Sequence, residues 1–199
     1  MCGRFYLDAD AEFLLNYFKI KYRPSDVEIS PIVYPSQTTP IIIESADELK
    51  VGPMYWGFSI ANANKLVINA RSETVLSRPM FRSAFQNKRC LIPASGFFEW
   101  HDNGSKRKDK YTIELDEAPI MAMAGIYRKE MDAEGGVKWV FSVITCDAVD
   151  EMQPIHARMP LLINPENHRL WLNPNTDMSL LSKLLIPQAP KLKIQKSDA

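Results

Sequence analysis

The chain contains no apolar run approaching the length of a membrane span, and it does not open on a basic segment followed by an apolar stretch. Neither a transmembrane helix nor a secretory signal is therefore expected, and no membrane partner. Cysteine is scarce. Cys2, Cys90 and Cys146 make no paired framework and no metal-ligand spacing. That pattern fits a reducing compartment without disulfides. His101, His156 and His168 share no short-range spacing with the cysteines, so no zinc site or other cofactor is expected. Net charge is also lacking, because 24 Lys and Arg balance 24 Asp and Glu. A neutral chain is a poor candidate for tight, nonspecific duplex binding. Repeats and low-complexity linkers are absent. What remains is 199 residues, 46% of them hydrophobic. This is enough for one globular domain over 1–199, with about 188–199 expected as a flexible tail.

Periodicity places a short helix over Ala11–Ile20, with Leu14, Leu15 and Phe18 on one face behind Asp8 and Asp10. Three prolines make Ser30–Pro40 extended and irregular. Ile41–Glu44 and Leu49–Trp56 read as strands, and Ser72–Phe85 as helical but interrupted by Pro79. Strands are then expected at Arg89–Pro93, Gly96–His101, Lys110–Leu115, Ile120–Tyr127, Trp139–Thr145 and Arg158–Ile163. Asp102–Gly104 and Glu134–Gly136 carry hairpin-turn chemistry. A helix starts at Asn164–Pro165, and Leu180–Leu185 reads as a last short helix. Strands and helices mix without βαβ alternation. The fold class is α+β, with a mostly antiparallel, barrel-like sheet flanked by short helices.

Chemistry concentrates in a few polar segments. Cys2 follows the initiator methionine and is small enough to permit its removal. A free N-terminal cysteine carries an amine and a thiol on adjacent carbons, with reference pKa values of about 7.7–8.0 and 8.5. Together they can trap an aldehyde, first as a Schiff base and then as a five-membered thiazolidine. Arg71, Arg78, Arg82, Lys88 and Arg89 form a basic strip against the single acid Glu73. Such a strip can hold a few phosphates with a shallow salt dependence, or serve as a solvated charged face. Asn69–Glu73 is expected at a strand-to-helix junction, where free backbone N–H groups could receive a phosphate beside Arg71 or simply be capped. Strand alternation puts Glu99 on the face of Phe97, away from Phe98 and Trp100. There it is a candidate for a desolvated acid–base group, or an edge glutamate in water. His156 and Arg158, two residues apart, can share a face and offer proton transfer and phosphate contact. Taken singly, each of these residues also fits a structural role.

Together the segments Met1–Arg4, Asn69–Thr74, Arg89–Trp100, Ala124–Tyr127, Thr145 and Ile155–Pro160 resemble the SRAP (SOS response-associated peptidase) family. That family sequesters abasic sites in single-stranded DNA during the DNA damage response. The resemblance runs from Met1 to about Leu172, in the family's order. It implies a single SRAP domain with a barrel-like core, acting as a cytoplasmic, nucleoid-associated monomer of bacterial or phage type. It also implies roles. Cys2 would capture the ring-opened aldehyde, Asn69 would hold the N-terminus, Glu99 would shuttle protons, and His156 would assist sugar opening. Arg4, Arg71, Thr145 and Arg158 would contact the DNA backbone, and Trp100 would pack against DNA or support the pocket.

Two other function classes fit the same residues. One is a thiol peptidase acting through Cys2, Glu99 and His156, with removal of its own Met1 as its narrowest form. The other is a noncatalytic reader of modified DNA, in which Cys2 would be dispensable.

Overall fold

The computed structural model describes residues 2–21, 29–61, 63–132, 134–187 and 191–197. The first half of the chain forms β1 (Phe5–Tyr6), α1 (Ala11–Tyr17), β2 (Ile32–Val33), β3 (Thr38–Ser45), β4 (Glu48–Trp56), β5 (Phe58–Ile60), β6 (Ala63–Val67), β7 (Asn69–Arg71) and α2 (Pro79–Asn87). The second half forms β8 (Arg89–Ala94), β9 (Gly96–His101), β10 (Asp109–Leu115), β11 (Met121–Met131), β12 (Val137–Asp147), β13 (Arg158–Pro160), α3 (His168–Leu172), α4 (Met178–Leu184) and β14 (Leu192–Ser197).

Five strands close a barrel in the order β11–β8–β3–β4–β12, because β12 pairs back onto β11. Closure removes the edges that an open sheet would leave unpaired. β7 and β13 extend the barrel from β12, β7 in parallel and β13 antiparallel. A second, antiparallel sheet runs β14–β10–β9–β1–β2. The aromatic core joins the two sheets. Phe5 packs on Trp56 at 5.0 Å between ring centroids, and Trp56 stacks on Phe141 at 6.1 Å. All three are fully buried, and each stabilises the fold by roughly 2–3 kcal/mol. This anchors β1, only two residues long, between Phe97 of β9 and Val33 of β2. Cys2 is thereby held against the barrel. Gly96 faces Tyr6 in the register. A Cβ there would lie 2.6 Å from the Ile113 carbonyl and 2.7 Å from the Tyr6 ring. Only glycine lets Tyr6 cross to its partner Glu114.

The α+β expectation holds, with differences in detail. α1 is capped by Asp10, whose Oδ1 accepts from the Phe13 N–H at 2.7 Å, and it ends at Tyr17 rather than Ile20. Pro79 does not interrupt a helix but begins one, at its first position, where its missing N–H costs nothing. Asn69–Glu73 is therefore not a helix N-terminus: Asn69–Arg71 is a strand, turns follow, and α2 starts at Pro79. The strand expected over Arg158–Ile163 pairs only to Pro160, with an isolated bridge at Leu162.

The flexible tail expected at about 188–199 is corrected over 192–197, which form β14 on the edge of β10. Leu192 and Ile194 face Leu115 and Ile113, and Lys193 and Lys196 pair with Glu114 and Asp109. The apolar–polar alternation that makes this strand is present in the sequence.

Candidate active site at the N-terminus

Cys2 is fully buried, and its Sγ lies 3.8 Å from the Arg4 carbonyl. Burial first, and the charge of Glu99 second, push the thiol up to about 12. At neutral pH it is a protonated thiol rather than a ready nucleophile. The Asn69 Nδ2 donates to the Cys2 carbonyl at 2.9 Å. Its Oδ1 is buried and has no hydrogen-bond partner among the described residues. β7 presents this carboxamide because its parallel pairing sets Asn69 opposite Val143 of β12. Glu99 is only 4% exposed, and its Oε2 accepts from the Trp100 N–H at 3.3 Å. Phe97 and Phe98 are also buried, so β9 is covered on both faces until Trp100. Cys2, Asn69 and Glu99 thus meet at one place although 97 residues separate the first from the last.

Arg4 lies beside them. Its guanidinium carbon lies over the Tyr34 ring at 4.6 Å and over the Trp100 ring at 4.7 Å from the centroids. The Arg4 carbonyl accepts from the Phe98 N–H at 3.0 Å, which ties the N-terminal segment to β9. The two cation–π contacts restrain a guanidinium suited to meet an anion. Tyr34 is a site residue that sequence reasoning missed. It sits on a turn closed by Gln37, whose Oε1 accepts from the Tyr34 N–H at 2.9 Å. The Pro35–Gln37 segment was the available signal.

The remaining residues cluster on β7, β12 and β13. Arg71 is exposed and has no carboxylate partner among the described residues. Opposite it, Thr145 is fully buried. This corrects the expected phosphate contact, since a side chain with no accessible surface cannot touch a phosphate without rearrangement. Arg158 is heavily engaged. Its Nη1 reaches Glu73 Oε1 at 2.9 Å and Asp147 Oδ1 at 2.6 Å, and its Nη2 reaches Glu73 Oε2 at 2.9 Å and the Thr145 carbonyl at 2.8 Å. Glu73 is held below the usual carboxylate range by this pairing, which outweighs its partial burial. His156 Nδ1 accepts from the Arg158 N–H at 2.9 Å. The same Nδ1 lies 3.0 Å from the Arg158 carbonyl, to which it donates in the other tautomer, so the Arg158 backbone holds the ring in either form.

Arg89, the last member of the basic strip, is not available to phosphate. It is 3% exposed and donates to the carbonyls of Phe85, Gln86, Trp171 and Asn173. Burial lowers its guanidinium to about 10. Among the described residues there is no group of three His, Cys, Asp or Glu side chains that could hold a metal, and no helix long and apolar enough to cross a membrane.

A closed barrel thus holds the chain's second residue, a cysteine, beside a buried glutamate. The model of the SOS response associated peptidase (SRAP) family matches residues 1–197, and the chain belongs to that family. Abasic site processing protein YobE of Bacillus subtilis is 36% identical over 195 residues, covering 94% of this chain and 89% of YobE. Abasic site processing protein YedK of Escherichia coli is 30% identical over 184 residues, covering 86% of this chain and 79% of YedK. A crystal structure of a protein from Bacteroides thetaiotaomicron superposes with a TM-score of 0.86 at 28% identity, covering 99% of this chain and 92% of that one.

Proposed function

We propose that this chain recognises abasic sites in single-stranded DNA as a monomer and captures their ring-opened aldehyde covalently through Cys2. The observation that carries this reading is the Asn69 clamp, with one carboxamide atom on the Cys2 carbonyl and the other buried without a partner among the described residues. That acceptor suits the α-amino group that Cys2 would gain on loss of Met1. The names of its relatives, abasic site processing proteins, support the same substrate.

The chemistry balances as follows. The Cys2 amine adds to the aldehyde carbon to give a carbinolamine, which loses one water to form the Schiff base. The thiol sulfur then bonds to that carbon, the C=N pair becomes a C–N single bond, and the thiol proton ends on nitrogen. A thiol held near 12 must be deprotonated as it attacks, and Glu99, buried and charge-coupled to it, is the acceptor at hand. His156, held by the Arg158 backbone, is suited to deliver a proton to the sugar oxygen as the ring opens. Arg4 and Arg71 hold phosphates. Arg158 joins them by exchanging the exposed Asp147 for a phosphate. The product shields the lesion.

Intact-protein mass spectrometry with an oligonucleotide bearing one abasic site tests the reading. The expected result is a chain lacking Met1 that gains the oligonucleotide mass minus one water. Retention of that gain in Cys2→Ser would overturn thiazolidine formation, and absence of any gain in the trimmed chain would overturn capture.

A further inference from the structure

Among the described residues, two grooves lined by Lys and Arg lie away from Cys2. One, of about 500 Å³, sits at the β3–β4 turn, where Lys19, Lys21, Lys50 and Arg169 share the lining with Asp47 and Glu48. Its Arg169 is partly spent on Glu44 at 3.7 Å. The other, of about 580 Å³, lies between α2 and the paired strands β11 and β12. Lys88, Arg128 and Lys129 line it, with no carboxylate in the lining. Arg128 is half neutralised by Glu130 at 2.6 Å. Lys88 and Lys129 are exposed and have no carboxylate partner among the described residues. Charge therefore favours the second groove.

Aromatic rings are interleaved with these cations. The Lys88 ammonium lies 5.5 Å from the Tyr127 ring and 5.6 Å from the Trp139 ring, and the Lys129 ammonium 4.9 Å from Trp139. The two rings are 5.5 Å apart. Tyr127 is buried and backs the partly exposed Trp139. Cations that track a phosphodiester chain beside one ring that can meet an unpaired base are the ingredients of a single-strand binding surface. α2, which lines the groove, follows in the chain from β7, whose Asn69 holds Cys2, and its N-cap Arg78 and interior Arg82 are exposed. From Thr145, which faces Arg71, back to Trp139 along β12 is about 20 Å at roughly 3.3 Å per residue.

We propose that the groove between α2 and the β11–β12 strands is a second nucleic-acid subsite, which takes the unpaired strand flanking the lesion. The proposal rests on the reading of DNA as partner. Its role is to add noncovalent residence before the covalent step, in a chain whose net charge is zero.

The test compares wild type with Lys88→Gln/Lys129→Gln, and with Lys19→Gln/Lys50→Gln at the other groove as a charge-matched control. Fluorescence anisotropy is measured on abasic oligonucleotides with either two or ten unpaired nucleotides on each side of the lesion, at several salt concentrations, alongside crosslink yield. Wild type should bind the long oligonucleotide more tightly than the short one. Lys88→Gln/Lys129→Gln should lose that gain, by about tenfold, and its salt slope should fall by about 1.4, at about 0.7 per phosphate contact. Its crosslinking of the short oligonucleotide should match wild type, and the control should keep the gain. An unchanged slope, or an equal loss in the control, would overturn the subsite. An equal effect when the flanks are duplex would overturn its preference for single strands. A wild-type chain that neither binds nor crosslinks any abasic oligonucleotide would overturn the underlying DNA reading instead.

Discussion

Asn69 is where the proposed chemistry is most exposed to disproof. It is bonded to the Cys2 backbone rather than to its thiol, so its loss should disorder the amine without altering the sulfur. Asn69→Ala is expected to lower the rate of crosslinking by about 10²-fold, a 1 Å misplacement being enough for that, while ordinary alkylation of the Cys2 thiol in unfolded protein stays unchanged. Crosslinking at the wild-type rate would remove Asn69 from the mechanism. Asp147 makes the opposite prediction. Its side chain is 81% exposed and neutralises Arg158. Asp147→Asn should tighten binding of undamaged single strands several-fold at low salt and leave it unchanged at high salt, where such charges are screened. An anisotropy titration that shows weaker binding at low salt would mean that Asp147 positions Arg158 rather than competing for it. At this scale the sequence was informative for Cys2, Asn69 and Glu99, because each sits in a motif dense in polar residues. Its signal for Tyr34 was only the neighbouring Pro35–Gln37 segment, and it was silent on the two carboxylates facing Arg158, since contacts across β7, β12 and β13 have no local signature.

Among the elements, Arg89 shows why a basic strip read from sequence overstates the charge on the surface. Its guanidinium closes the C-terminal end of α2, through Phe85 and Gln86, and of α3, through Trp171 and Asn173. Carbonyls at helix ends have no intrahelical partner and carry partial negative charge, so a buried cation there satisfies several at once. Arg89→Met should cost about 3–5 kcal/mol, with charged hydrogen bonds worth about 1.5–3 kcal/mol each and not additive. A urea midpoint within 1 kcal/mol of wild type would refute that role. β14 gives a second element-scale test. Removing residues 191–199 uncovers the edge of β10, and the truncated chain should melt lower and self-associate, as an unpaired edge invites. A monomeric truncation with unchanged melting would show that β10 needs no cover. Long alternating strands were legible because burial imposes a period of two. β1 and β7, at two and three residues, are too short to show a period, and the β11–β12 pairing that closes β11, β8, β3, β4 and β12 into a barrel depends on the whole sheet.

For the molecule as a whole, three cysteines buried without disulfides make stability a function of alkaline pH. Cys2 and Cys146 are each raised from 9.0 to about 12, and Cys90 is raised well above 9.0, burial being the first cause in all three. Tyr127 moves from 10.0 to about 12 for the same reason. In the unfolded chain the thiols release their protons from about pH 9, whereas in the folded chain they hold them until about 12. The folded state therefore binds more protons across that window, and its stability falls as pH rises through it. Below pH 9 the contribution is fully present. Each such group costs about 1.4 kcal/mol per pH unit inside the window. Urea midpoints should be flat from pH 7 to 8.5 and drop steeply by pH 10.5. Cys146→Ala should be less stable at pH 7 but lose stability less steeply above pH 9, because one titrating thiol is gone. Equal slopes for the variant and wild type would mean that Cys146 ionises alike in both states, and that the interior around β12 and β13 admits water which its 1% exposure argues against.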